Sequence, residues 1–131
     1  MCFYVQSPEQ VAMDDIECYK ILRRGRGAML ILFRLTGQNI YKSIFRNHTY
    51  RKGHTYHAVF DTGDFDTINA GLHSYRTFNR ADDILTAKLL GRGFSDLVVC
   101  RFTIPKGARY YTNNWEYVST SIRFDGEFQH K

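Results

Sequence analysis

The segment Leu97–Ile104, Leu-Val-Val-Cys-Arg-Phe-Thr-Ile, limits the possible folds of this chain more than any other stretch. In an extended backbone Val98, Cys100, Phe102 and Ile104 point one way, and Val99, Arg101 and Thr103 point the other. Eight residues rich in β-branched and apolar side chains need strand neighbours and an apolar layer to cover them. Pro105-Lys106-Gly107 then ends the strand with a turn. Several other runs can supply neighbours. Residues 16–23 read as a strand. The continuously apolar run 29–34 is expected to pair back on it as a hairpin, across the basic turn Arg24-Gly25-Arg26-Gly27. Residues 54–60 and 68–76 read as further strands, separated by an acidic loop over 61–66. In 118–124, Val118, Thr120, Ile122 and Phe124 alternate with Ser119, Ser121 and Arg123.

One helix is expected, over about residues 79–91. Ala81, Ile84, Leu85, Lys88 and Leu89 fall at helical spacing. Asn79 would cap it, Asp82 and Asp83 would sit in its first turn, and Gly91 and Gly93 would stop it. The expected architecture is a single α+β domain over 1–131, a mostly antiparallel sheet with this helix packed on it.

A chain of 131 residues can bury a core without a disulfide or structural metal. The three cysteines, Cys2, Cys18 and Cys100, lack CxxC spacing, and Cys18 and Cys100 lie in apolar stretches as expected of buried thiols. The five histidines form no HExxH or other ligand pattern, so no metal is expected. Ser74 follows His73, which puts the two on opposite sides of a strand, and no GxSxG elbow is present. Neither a Walker A loop nor GxGxxG after a strand occurs. No catalytic residue and no cofactor is assigned. The longest apolar run, 28–33, is too short to span a bilayer, and no signal peptide opens the chain, so the expected location is the cytoplasm, without a membrane partner.

The net charge of +5 and a pI near 9.2 favour an anionic partner. Aromatic residues make up 15% of the chain, more than a domain of this size needs for its core. Cations and rings alternate in three clusters: Arg23, Arg24 and Arg26; Arg46, Tyr50, Arg51 and Lys52; and Lys106, Arg109, Tyr110, Tyr111, Asn113 and Trp115. A fourth stretch, residues 71–78, carries His73, Tyr75 and Phe78. A guanidinium fork matches phosphate oxygens and a ring offers its face to a base, as a nucleotide site requires. The same residues also suit a solvated basic surface with snorkelling rings, or in 71–78 a strand whose aromatic side is core.

Five stretches together carry a family resemblance: Met1-Cys2-Phe3-Tyr4, Asp15-Ile16-Glu17-Cys18-Tyr19-Lys20, Gly71-Leu72-His73-Ser74-Tyr75, Ile104-Pro105-Lys106-Gly107-Ala108-Arg109-Tyr110-Tyr111, and Tyr117-Val118-Ser119. With them the chain resembles small phage and gut-bacterial proteins of the first type of phage Thoeris anti-defence protein. The resemblance implies a sponge. Such proteins capture cyclic ADP-ribose signals, and in some cases cyclic oligonucleotides, without cleaving them, and so block bacterial anti-phage signalling. It also implies a homo-oligomer, a dimer or hexamer, with pockets between subunits. On that resemblance Arg109 would clamp a phosphate, Phe78 or Tyr110 would stack on the base, and Asn113 would read the ribose or base. Arg23 and Arg24, with Arg26, would form a second site for cyclic oligonucleotides. Two other readings stand beside it. One is an NAD-using enzyme of the ADP-ribosyltransferase type, with His73 orienting the dinucleotide and Glu116 polarising the ribose. The other is a small RNA- or DNA-binding module, which the scattered acidic residues do not favour.

Overall fold

The computed structural model of the chain describes residues 3–4, 8–24, 40–43, 49–62, 67–89 and 97–128. Strand β3 (Ile16–Arg24) and strand β10 (Leu97–Ile104) form its spine. They pair antiparallel without a slip, from Ile104 opposite Ile16 to Leu97 opposite Arg23. The other edge of β10 takes β13 (Ser121–Glu127), with a register shift between Arg101 and Phe102. Asp125 is the extra residue there, next to Gly126, whose φ of 115° only glycine adopts easily. The bulged Asp125 carboxylate accepts hydrogen bonds from Thr103 Oγ1 at 2.5 Å and Arg123 Nε at 3.0 Å.

From β3 the sheet continues through β9 (Leu72–Tyr75), β12 (Glu116–Ser119) and β11 (Arg109–Thr112) to β2 (Gln10–Val11). On the far side β6 (Thr55–His57) pairs with β13. Strand β4 (Ile40–Ser43) pairs with the end of β3, and β5 (Thr49–Arg51) with β4. A second sheet of three short strands, β1 (Phe3–Tyr4), β8 (Thr67–Ala70) and β7 (Asp61–Thr62), completes the described structure. All pairings are antiparallel. With one short helix, the fold is α+β as the sequence indicates.

The main sheet has two apolar faces. On one, Cys18, Leu22, Cys100, Phe102, Ile104, Ile122 and Phe124 are fully buried, and Tyr41 and Tyr50 close over them. Phe102 and Phe124 stack with centroids 4.9 Å apart. On the other face Ile21, Leu97 and Val99 receive helix α1 (Phe78–Ile84) through Ala81. The alternation read along β10 is therefore present, and under the helix both its sides are covered.

Several boundaries differ from the sequence reading. The helix starts at Phe78, capped by Thr77, whose Oγ1 accepts from the Arg80 N–H at 3.2 Å. Asn79 thus lies inside the helix, and Asp82 and Asp83 lie beyond its first turn. The helix then widens into a π-helical turn over Leu85–Leu89. The alternating run 118–124 is two strands, broken at Thr120, because Val118 serves a small cluster with Phe60 and Tyr111 while Ile122 and Phe124 serve the main core. The strand expected over 54–60 spans only Thr55–His57, and Asp61 and Thr62 of the expected acidic loop form β7. Tyr50, grouped with surface cations in the sequence, is a core ring at 4% exposure. Cys18 and Cys100 are free and buried. The expected hairpin run 29–34, the glycines of the basic turn, Gly91 and Gly93 fall outside the described residues.

Candidate functional site

Strands β11 and β12 are joined by a tight turn over 113–115. Asn113 shapes it: its Oδ1 accepts from the backbone N–H of Trp115 at 2.9 Å and of Glu116 at 2.8 Å. The Asn113 N–H donates to Glu116 O at 3.1 Å, closing the turn from the other side. This Asx geometry fixes the backbone without help from the core. It leaves the Trp115 indole 53% exposed, an uncommon position for the largest apolar side chain.

Two neighbouring elements bring arginines to the same turn. Where β9 runs into the helix, the Arg76 N–H donates to Trp115 O at 2.9 Å, and Arg76 Nη1 donates to Asn113 O at 2.8 Å. The Arg76 guanidinium also lies 5.6 Å from the Tyr117 ring centroid. From the first turn of α1, the Arg80 guanidinium lies 4.6 Å from the centroid of Trp115, at stacking range. Arg80 Nε is buried from solvent and meets no hydrogen-bond acceptor among the described residues.

A carboxyl and a phenol complete the cluster. Tyr75 and Glu116 are cross-strand partners of β9 and β12, so their side chains share the helix-bearing face. Burial raises the Glu116 carboxyl above its ordinary range, opposed by the positive charge of Arg80. Burial likewise raises the Tyr75 phenol, with the Glu116 charge adding to it. His73 lies two residues before Tyr75 on the same face, opposite Val118, and its backbone carbonyl accepts from Lys20 Nζ at 2.5 Å.

The residues singled out in the sequence are dispersed. His73 and Tyr75 belong to this cluster, and Asn113 builds its turn with its side chain engaged in the backbone. Phe78 packs inward, stacked on Phe128 at 4.2 Å and edge-on to Tyr19. Tyr110 sits on the opposite face, donating its hydroxyl to Gln10 Oε1 at 2.9 Å and lying edge-on to Tyr117. Arg109 begins β11, three residues or roughly 10 Å of strand from Thr112 at its other end. Its Nη1 pairs with Glu9 Oε1 at 3.3 Å, and its guanidinium lies 5.9 Å from the Phe60 centroid. Arg23 and Arg24 end β3, opposite Leu97 and Tyr41. Arg26 and Arg46 fall outside the described residues. Arg80 was absent from the sequence reading. Its signal was available: it stands four residues after Arg76 across the start of a helix, one turn away on the same side.

No group of three His, Cys, Asp or Glu among the described residues is placed to hold a metal ion. The Cys18 thiol is pushed up to about 11 by burial, which keeps it protonated and unreactive. No helix among the described residues is long and apolar enough to cross a membrane. No protein-family model, no curated protein and no solved structure matches the chain.

Proposed function

We propose that this protein binds an anionic nucleotide second messenger and holds it intact, so that the signal is sequestered rather than consumed. The observation that carries the reading is the convergence of two guanidinium groups, Arg76 and Arg80, on one turn that presents an exposed Trp115 ring. Planar forks for phosphate and a rigid stacking surface beside them are the minimum a nucleotide needs. Capture needs neither a general base nor a metal. The ligand class the sequence resemblance suggests, a cyclic ADP-ribose isomer or a cyclic oligonucleotide, suits this chemistry, and capture by a homo-oligomer in a bacterial cytoplasm is part of the same proposal.

Titration calorimetry against cyclic ADP-ribose isomers and cyclic dinucleotides tests it, followed by heat release and chromatography of the ligand. Binding, with recovery of unaltered ligand, is the expected result. Trp115→Ala and Arg80→Ala should each weaken binding at least tenfold while the melting temperature stays within a few degrees, since one charge-assisted bond or one stacked ring contributes about 1–3 kcal/mol. Absence of binding to every nucleotide in the panel would refute the reading.

One observation favours a second reading. Glu116 and His73 lie on the same face of adjacent strands, with Glu116 half-buried. That placement suits an NAD-using transferase. Release of nicotinamide from NAD, abolished in Glu116→Gln, would establish this second reading over sequestration.

A further inference from the structure

Two polar groups of this site face each other unsatisfied. Arg80 Nε–H is a buried donor without an acceptor. The half-buried Glu116 carboxyl accepts no side-chain hydrogen bond among the described residues, and Arg80 is the opposing charge within its electrostatic reach. Groups taken out of water and left unbonded are costly unless a ligand completes them. The missing partner must therefore offer an acceptor to Arg80 and donors to Glu116, next to a flat surface that can lie on Trp115.

The purines differ in this respect. A carboxylate has two oxygens and is best met by two parallel donors. The guanine edge presents the N1–H and the N2 amino group side by side, with the O6 acceptor adjacent to them. Adenine presents one amino donor beside the N1 acceptor, which leaves one carboxylate oxygen unbonded. We infer that the base held at this turn is guanine, stacked on Trp115, with N1–H and N2–H received by the Glu116 carboxylate and O6 by Arg80. Arg76 is then the guanidinium left for phosphate. The inference rests on the nucleotide reading above and narrows it to a guanine-bearing ligand.

The test compares GDP, IDP and ADP by titration calorimetry on the whole chain. IDP keeps O6 and N1–H and lacks the N2 amino group, so it probes the second donor without altering the protein. GDP should bind about ten- to a hundredfold more tightly than ADP, the range expected of one good bidentate pair, with IDP between them. Glu116→Gln, which keeps the shape and removes the second acceptor oxygen, should bring GDP and ADP to within about threefold of each other while ADP affinity is retained. Equal affinities of the wild-type chain for GDP and ADP, or a GDP preference unchanged in Glu116→Gln, would overturn the guanine assignment and leave nucleotide binding standing. If none of the three binds, and cyclic nucleotides also fail, the nucleotide reading falls and the inference with it.

Discussion

A single glycine controls how closely β9 approaches its neighbours. Gly71 has a φ of 138°, and a Cβ built there would meet Val118 Cγ2 at 2.5 Å and Phe60 Cδ1 at 3.2 Å. Gly71→Ala therefore combines an unfavourable backbone with a clash against a fully buried side chain. Chemical denaturation should show a loss of about 2–4 kcal/mol, from strain and overpacking together. Glu116 offers the opposite test at the same scale. Its folded-state pKa is raised above the ordinary 4.5, so the folded chain binds more protons than the unfolded one in that window, and stability rises as pH falls through it. Above the window the full cost of the buried charge is present. Glu116→Gln, which cannot ionise, should melt at a higher temperature than wild type at pH 7.5, and the gap should close toward pH 4. A lower melting temperature for the variant at pH 7.5 would show that Arg80 outweighs desolvation. Neither residue's position was legible in the sequence: Gly71 read as part of a continuous strand, and Glu116 as an exposed strand-end carboxylate, because the cross-strand partner that buries it, Tyr75, is 41 positions away.

At the scale of elements, strands with strong alternation were readable and their breaks were not. The boundaries of β10 follow from its own residues, since apolar side chains occupy both of its faces and a Pro-x-Gly turn ends it. Phe102→Ala should thus cost about 3–5 kcal/mol, measured by urea unfolding, because its ring is wholly buried and stacked on Phe124. Strand β11 was read as a loop, as Arg-Tyr-Tyr-Thr after a turn has no apolar alternation. Its pairing partners, β2 and β12, supply what its side chains do not. The helix start was misplaced by two residues because Thr77 and Asn79 are both good caps, and only the Thr77 hydroxyl meets a free backbone N–H. Thr77→Ala should consequently destabilise by about 1 kcal/mol, whereas Asn79→Ala should be close to neutral, a pair of variants that thermal melts can separate.

Over the whole molecule, the excess of positive charge is not spread evenly in its effect. Arg101, Arg109 and Arg123 each stand beside a carboxylate, from Glu17, Glu9 and Asp125 respectively. Arg76 and Arg80 instead lean on the rings of Tyr117 and Trp115. Composition could reveal the net charge but not this sorting, which depends on which strand ends meet. The sorting favours a small anion at one turn over a long strand of phosphates lying across the surface. Salt dependence distinguishes the two. A ligand met by two guanidinium groups should lose affinity with a slope no steeper than about −2 in log K against log salt, whereas an oligonucleotide neutralising six phosphates would give about −4. In Arg76→Ala the slope for the bound nucleotide should fall by about one, since one phosphate contact is removed. Arg109→Ala, which removes a guanidinium already paired with Glu9, should leave both slope and affinity nearly unchanged. A large affinity loss in Arg109→Ala, with the Arg76→Ala variant binding normally, would move the anion site to the other end of β11.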